Sequence, residues 1–211
     1  MLYLFGRIYD WSIELILRKM KQGIARYVSE HNLSPTLDIC CGTGRQGHLI
    51  GINKQNIIGL DRDLKMVQYA QSKYPSIPLI CADAADIPLK NGYFKGIIIS
   101  YSLHDKPPEL RTKMLSEVKR LLAPEGKMIL VDFEQPWNRC SRLAGIFTYL
   151  IERMAGREHF RNGRLFLKQG GLRAFIKQNG IVEIERYDIE LGNSSMVIAQ
   201  FAGKVLLKNE F

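Results

Sequence analysis

A glycine-rich turn after a short apolar segment is the part of the chain best suited to bind a ligand. Residues 37–47 read Leu-Asp-Ile-Cys-Cys-Gly-Thr-Gly-Arg-Gln-Gly. Glycine allows close approach of the backbone to a ligand, and the N–H groups that open the next helix favour nucleotide-like groups. We therefore predict ligand contacts at Gly42, Thr43 and Gly44. Proteins that bind nicotinamide and flavin dinucleotides share this glycine spacing.

The acidic residue before the turn narrows the kind of ligand. A carboxylate at Asp38 would repel the pyrophosphate of a dinucleotide, whereas S-adenosylmethionine has no phosphate and carries a sulfonium and an ammonium group. We expect Asp38 to bind this cationic methyl donor directly or through water. The alternative is that Asp38 only caps N–H groups of the glycine turn.

Two later apolar segments, 57–61 and 79–83, also end in an acid. In a doubly wound sheet, ligands lie at the carboxyl ends of the strands, and a carboxylate about twenty residues after the first glycine binds ribose hydroxyls. We predict this role for Asp61, and contact with the adenine amino group for Asp83. The backbone N–H of Ala84 would reach a ring nitrogen. Helix capping and loop capping are the alternative roles of the two carboxylates.

Polar side chains that follow the fourth apolar segment would lie where donor and acceptor meet. Methyl transfer requires a nucleophile held about 3 Å from the methyl group, and in some reactions removal of a proton. His104 is a candidate general base because its unperturbed pKa lies near neutrality, with Asp105 as its orienting partner or as another base. Tyr101 would form a pocket wall or bind through its hydroxyl. A loop hydrogen bond is the alternative role of His104.

These residues require a particular arrangement of strands and helices. Apolar segments predict strands near 36–40, 56–60, 79–82, 94–100 and 127–133, and helices near 44–51, 63–73 and 108–122. Alternation of this kind indicates an α/β fold with a doubly wound, mostly parallel sheet and helices on both faces. The segments 181–190 and 195–202 predict a closing antiparallel hairpin, which would give seven strands.

Two other regions are predicted to be helical. Residues 11–28 carry an apolar stripe of Leu15, Met20, Ile24 and Val28, with cations on the other face. Residues 134–180 are too long for a plain connection and should be helical and functional. Their aromatic residues would line a substrate chamber or belong to the core; they are Trp137, Phe147, Tyr149, Phe160 and Phe166.

With these motifs in view, the chain resembles the class I S-adenosylmethionine-dependent methyltransferases, in particular the small-molecule branch with the ubiquinone and menaquinone C-methyltransferases. The resemblance rests on the glycine motif, Asp61, Asp83-Ala84, the run 96–104 and the Leu-Leu-Ala-Pro-Glu-Gly turn at 121–126. It implies a Rossmann-like fold, a donor site that also includes Cys40, Arg62 and Ser100, and a helical cover over the acceptor. Members usually place glycine where this chain has Cys40.

Length and composition indicate the number of domains, the cellular setting and the kinds of site that the chain can form. A chain of 211 residues can form one domain with a large core. We predict a single methyltransferase domain over 1–211, with 1–30 as an N-terminal helical cover and 134–180 as a helical insertion over the acceptor pocket. The four cysteines lack paired spacing and favour a reducing, cytoplasmic setting, and the histidines lack the spacing of a metal site. No apolar run approaches the ~18 residues of a membrane span.

The formal net charge is +9, and residues 139–177 hold nine Arg or Lys against two Glu. This segment would attract an anionic substrate, a membrane surface or nucleic acid, or it is a solvated helix face. We predict methyl transfer to a small-molecule acceptor that is quinone-like, lipid-like or anionic, with peripheral membrane contact and without nucleic acid. The other hypotheses are a nicotinamide-dependent oxidoreductase, a nucleic-acid methyltransferase and a non-catalytic S-adenosylmethionine-binding protein.

Overall fold

The computed structural model describes residues 17–136, 156–189 and 192–202, and the single helical residues 145, 149 and 153. The predictions for Leu15, Trp137 and Phe147 lie outside the described residues.

A seven-stranded sheet forms the centre of the molecule, in the order β3-β2-β1-β4-β5-β7-β6. The strands are β1 (Thr36–Ile39), β2 (Ile57–Asp61), β3 (Leu79–Cys81), β4 (Phe94–Ser100), β5 (Leu122–Phe133), β6 (Ile181–Ile189) and β7 (Ser194–Phe201). Strands β1 to β5 pair in parallel, whereas β7 is antiparallel to both β5 and β6. The predicted doubly wound sheet and closing hairpin are therefore confirmed.

Helices connect the parallel strands and cover the sheet. We name the helical residues 17–30 α1. The others are α2 (Arg45–Ile52), α3 (Leu64–Lys73), α4 (Pro108–Leu121), α5 (Arg157–Lys168) and α6 (Gly171–Gln178). Met20, Ile24 and Val28 of α1 are buried, as their spacing predicts. None of the described helices is long and apolar enough to cross a membrane.

The sheet is buried on both faces, which is why its central strands are almost entirely apolar. Successive side chains of a strand point to opposite faces. Accordingly Ile97 and Ile99 of β4 belong to the core cluster that contains Met114 of α4, whereas Ile98 packs in the second cluster with Ile24 of α1. Two cores therefore hold the strand ends in fixed positions.

Strand β5 begins earlier than predicted. The sequence places its start near residue 127, because Pro124 and Gly126 indicate a turn, but extended backbone runs from Leu122. Leu122 pairs with Phe94 of β4, and the register then shifts before Gly96 pairs with Lys127. The irregularity accommodates the residues that resemble a turn without ending the strand.

Candidate functional site

A cavity of about 520 Å³ opens at the carboxyl ends of the parallel strands. This is the edge at which doubly wound sheets bind ligands, and the volume is in the range of small-molecule sites. Five predicted donor residues line it: Cys40, Asp61, Arg62, Asp83 and Ala84. The remaining predicted donor residues are not among its lining side chains; they are Asp38, Gly42, Thr43, Gly44 and Ser100.

Asp61, the last residue of β2, ties the cavity to the glycine turn. Its Oδ2 accepts the backbone N–H of Gly42 at 2.9 Å, and its Oδ1 accepts the N–H of Asp63 at 3.0 Å. A carboxylate has about four acceptor positions, so both oxygens keep capacity for a ligand diol. The N-cap of α3 is Asp63, whose side chain accepts from Lys65 N–H, so the capping role considered for Asp61 belongs to its neighbour.

Asp83 and Ala84 form the floor of the cavity after β3. Asp83 is exposed, and its Oδ1 accepts the N–H of Ala85 at 2.9 Å. The loop-capping role is thus present, but it occupies one oxygen only. The second oxygen of Asp83 remains suited to an amino group of a ligand, as the sequence predicts.

Glycine is required at Gly42 and at Gly44 for different structural reasons. Both have positive φ, 51° at Gly42 and 73° at Gly44. A Cβ on Gly42 would meet no described atom within 4 Å, so the space beside this backbone is open. A Cβ on Gly44 would lie 2.9 Å from Cβ of Ala70 in α3. A side chain at Gly44 would therefore meet helix α3.

Cys40 and Tyr101 lie just after neighbouring strands and share an unusual backbone conformation. Their φ angles are 59° and 50°, in the left-handed region that favours glycine. Such conformations cost about 1–3 kcal/mol and occur often at functional sites. Both residues line the cavity. Glycine adopts such a φ without strain, so the conformation of Cys40 is compatible with the glycine that the resemblance implies at this position.

Asp38 is a buried acid behind the glycine turn. It is 3% exposed, and among the described residues its Oδ2 has no hydrogen-bond partner. Burial raises its pKa to about 7, an effect that Lys21 of α1 opposes and Asp61 reinforces. A buried acceptor of this kind needs a donor. An ammonium group would supply one, so Asp38 fits the cationic ligand inferred from the sequence.

The serine that lines the cavity is Ser102 rather than Ser100. Ser100 is the last residue of β4, and Ser102 lies on the loop that follows, beside the thiol of Cys40. Burial raises the pKa of Cys40 to about 11, so the thiol stays protonated at neutral pH. The methionine part of a donor would therefore meet a neutral thiol and a hydroxyl.

Another part of the cavity wall carries a group of charged and polar side chains. Asp105 forms an ion pair with Lys106, at 2.6 Å between Oδ1 and Nζ. Its Oδ2 lies 3.6 Å from Nδ1 of His159, which projects from α5. Together with Tyr101 these residues line the cavity. Two of the predicted catalytic residues, Asp105 and Tyr101, are thus at the site, whereas Lys106 and His159 were not predicted.

His104 lies behind this wall and is 2% exposed. Its Nδ1 is 2.7 Å from Oδ1 of Asp132, near the end of β5. The sequence assigned the orienting role to Asp105, and the structure gives it to Asp132, which is fully buried. The His104 ring lies 5.3 Å from the ring of His159, measured between centroids. His104 is therefore placed behind the cavity rather than on its surface.

Asp132 could have been found from the sequence, but His159 could not. Asp132 ends an apolar strand, the same signal that identified Asp38, Asp61 and Asp83. His159 reaches the cavity only because α5 packs there, where Asn162 Nδ2 donates to the carbonyl of Asp105 at 2.9 Å. No local sequence motif predicts a contact between residues that are 54 positions apart.

In the basic segment, residues 139–177, the described basic side chains of α5 lie at the surface, whereas the aromatic residue Phe166 lies in the core. Phe166 is 1% exposed and packs 6.1 Å from Phe175, between ring centroids, so it belongs to the core rather than to a substrate chamber. The described basic side chains of α5 are all exposed; they are Arg157, Arg161, Arg164 and Lys168. Helical spacing puts these four on the side of α5 opposite His159 and Phe166. They do not line the cavity.

Comparisons with known proteins agree with this geometry. Residues 36–126 match a family model described as a methyltransferase domain. An uncharacterized methyltransferase of Synechocystis sp. is 29% identical over 62% of this chain. A 2-phytyl-1,4-naphtoquinone methyltransferase of Thermosynechococcus vestitus is 35% identical over 47%. The chain spans 66% and 46% of the lengths of these two relatives.

Solved structures show the same fold. A SAM-dependent methyltransferase from Aquifex aeolicus superimposes with a TM-score of 0.54 and 18% identity, over 82% of this chain and 87% of that one. The match of the family model, residues 36–126, includes every lining residue of the cavity except His159. Residues 36–126 therefore match a methyltransferase domain, and the chain has the fold of a solved SAM-dependent methyltransferase.

Proposed function

We propose that this chain transfers a methyl group from S-adenosylmethionine to a quinone-like small molecule. The observation that carries the proposal is one continuous cavity that is lined by Asp61 and Asp83 and also by Tyr101, Asp105 and His159. Donor and acceptor would then meet within this one cavity, as transfer of a methyl group requires.

The donor side is suited to each part of S-adenosylmethionine. Asp61 would accept the ribose hydroxyls and Asp83 the adenine amino group, with Ala84 and Arg62 beside them. The open space next to Gly42 and the unpartnered Oδ2 of Asp38 suit the cationic methionine part. When bound, the donor supplies a methyl group activated by its sulfonium. This chain's own residues orient it and exclude water.

The acceptor side can handle a proton. His159 is partly exposed in the cavity and Asp105 lies beside it, so we assign His159 the role of proton acceptor from a ring hydroxyl or carbon. Asp105 would orient His159 and stabilise its protonated form. Lys106 holds Asp105 by its ion pair, and Tyr101 shapes the wall. His104, fixed by Asp132, acts as a positioning residue behind His159.

The quinone-like acceptor is supported by the relative from Thermosynechococcus vestitus, whose name specifies a phytyl naphthoquinone. Leu60, Met66 and Leu110 add apolar surface to the cavity. A flat apolar ring suits such a wall, whereas its polar substituents suit the charged group around Asp105.

Three further proposals concern the surroundings of the site. Residues 1–30 and 134–180 would cover the donor and acceptor, since Lys21 influences Asp38 and His159 reaches the cavity. The outward cationic face of α5 would contact an anionic membrane surface, which brings the enzyme to a lipid-like acceptor. Free thiols at Cys40, Cys41 and Cys81 support a reducing, cytoplasmic setting.

Methyl transfer with a labelled donor tests the function directly. The protein would be incubated with S-adenosylmethionine labelled in its methyl group and a reduced prenylated naphthoquinone, and the extracted quinone analysed by mass spectrometry. We expect label on the quinone ring, and less of it with Asp61→Ala when the donor concentration is below its Kd. Donor binding without transfer to the naphthoquinol would exclude this acceptor, and calorimetry showing NAD but not S-adenosylmethionine binding would exclude the donor.

A further inference from the structure

Arg111 of α4 is a buried cation whose hydrogen-bond partners, among the described residues, are neutral groups. It is 4% exposed. Its Nε donates to the carbonyl oxygens of Leu103 at 2.8 Å and Lys106 at 2.9 Å, and its Nη1 donates to Oε1 of Gln169 at 3.2 Å. Arg111 thus spans the loop that carries His104 and Asp105.

The remaining nitrogen of this guanidinium is unsatisfied. Over the described ranges, Nη2 of Arg111 is buried without a hydrogen-bond partner, and no carboxylate forms an ion pair with the side chain. The Phe166 ring lies 4.8 Å from its central carbon, measured to the ring centroid. Burial of this cation is costly and lowers the pKa of Arg111, and the more distant carboxylates of Asp132, Asp105 and Glu109 offset part of that cost. The N–H donor without a described partner adds to the cost.

A cavity of about 170 Å³ lies next to this side chain. Its polar lining consists of Arg111, Thr112, Gln169, Gln178 and Asn179. It shares no lining residue with the methyl-transfer cavity. Liquid water occupies about 30 Å³ per molecule, so the space accommodates a group of several heavy atoms.

We propose that this second cavity binds a small oxyanion, the carboxylate or phosphate group of a metabolite, through Arg111 and the side-chain amides around it. The oxyanion would be a direct anionic partner of the guanidinium, in addition to the more distant carboxylates of Asp132, Asp105 and Glu109. A guanidinium binds such a group best in a bidentate geometry. Because Nε of Arg111 holds the carbonyls of Leu103 and Lys106, the bound anion would also fix the loop between them. The site therefore stabilises the acceptor wall from behind.

Inorganic phosphate and acetate are the probes. Thermal unfolding of the full chain would be followed against the concentration of each, with sodium chloride at matched ionic strength as reference. Gln169→Glu places a carboxylate at the side chain that already bonds Arg111, and Gln71→Glu makes the same change on an exposed part of α3.

We expect a saturable rise of Tm with phosphate, acetate or both, and the same rise in Gln71→Glu. Gln169→Glu should start at a higher Tm and lose the response, because its own carboxylate replaces the anion. A response to both probes identifies a carboxylate-sized site, and a response to phosphate alone a phosphate site. No saturable rise over chloride, or an equal rise in Gln169→Glu, would overturn the proposal. The readout is stability, so it is independent of methyl transfer.

Discussion

Oδ1 of Asp132 lies 2.7 Å from Nδ1 of His104, and Oδ2 of the same carboxylate accepts the backbone N–H groups of His104 and Leu103. Phe133 N–H also donates to Oδ1 at 2.8 Å. One fully buried side chain therefore joins the end of β5 to the loop after β4. The position of the acceptor wall depends on this junction.

Replacing Asp132 should affect stability and turnover together. In Asp132→Asn the amide NH₂ faces N–H donors, so we expect a loss of about 3 kcal/mol in the free energy of unfolding, the usual effect of breaking a buried charged network. Urea unfolding measures the first effect and labelled methyl transfer the second. Asp86→Asn, an exposed carboxyl, serves as the control. A folded Asp132→Asn protein with parental stability would contradict the inference.

Asp38 should make stability depend on pH. Its pKa is 3.8 when unfolded and about 7 in the folded protein. Between these values the folded state binds the proton more tightly, so the contribution of Asp38 to stability falls as pH rises from about 4 to about 7. Asp38→Asn should lack this fall. Equal pH dependence of the unfolding free energy in both proteins would show that Asp38 titrates normally.

The same group should make donor binding depend on pH. A cationic ligand favours the ionised carboxylate, so the affinity for S-adenosylmethionine should increase as pH rises through about 7. Calorimetry in buffers of different ionisation enthalpy would detect the proton released on binding. A pH-independent Kd for the parent protein would argue against contact between Asp38 and the donor.

Asp61 and Asp63 provide a matched pair of carboxylates two residues apart. Asp61→Ala should weaken S-adenosylmethionine binding by about 2 kcal/mol, because charged hydrogen bonds to the diol are lost. Asp63→Asn keeps a good N-cap for α3 and should change the Kd little. Calorimetry would measure the Kd for S-adenosylmethionine in both variants. If the Asp63 variant lost more affinity than the Asp61 variant, the ribose assignment would be wrong.

The two histidines should differ in their kinetic effects. His159→Ala removes the ring in the cavity, and we expect kcat to fall by about 10²-fold with loss of the low-pH limb of the profile. His104→Ala should lower both stability and kcat, and His104→Asn should recover part of each because an amide can donate to Asp132. Donor affinity should remain unchanged in all three. If His159→Ala kept the parental kcat, the general base would have to be another residue.

Reversing the outer face of α5 tests the membrane proposal. Arg157→Glu, Arg161→Glu and Arg164→Glu together should reduce sedimentation with vesicles of anionic lipid and leave the donor Kd unchanged. The difference should shrink towards 1 M salt, where the Debye length is about 3 Å. Lys54→Glu, Lys65→Glu and Lys113→Glu reverse the same charge elsewhere on the surface. Equal loss in both triple variants would attribute binding to net charge alone.

Local patterns were sufficient for most of the fold. Strand β4 matches its prediction at both ends, and the closing hairpin follows from two alternating segments around 191–194. Residues 122–126 were predicted to form a turn before β5. In the structure they belong to β5, because the pairing of Leu122 with β4 keeps them extended. Asp61 is the last residue of β2 and Asp83 follows β3 by two residues, so the strand pattern was enough to place both carboxylates at the cavity.

The acceptor side was less predictable because it depends on contacts between distant segments. His159 meets Asp105 across 54 residues, and Arg111 meets Gln169 across 58. No spacing rule encodes such pairs, since they arise only when α5 packs against the loop after β4. The orienting acid of His104 was misassigned for the same reason: the nearest acid in the chain, Asp105, is not the one that the fold brings to its Nδ1.

The hydrogen bond from Gly42 N–H to Asp61 Oδ2 has a further consequence for binding thermodynamics. It fixes the glycine turn and Asp61, the acid proposed to bind the ribose, relative to each other during folding, so the donor would meet a preorganised surface. The entropy of ordering these two loops is then absent from the binding step. Loss of this bond would therefore appear in calorimetry as a less favourable binding entropy, because the turn would have to be ordered by the donor itself.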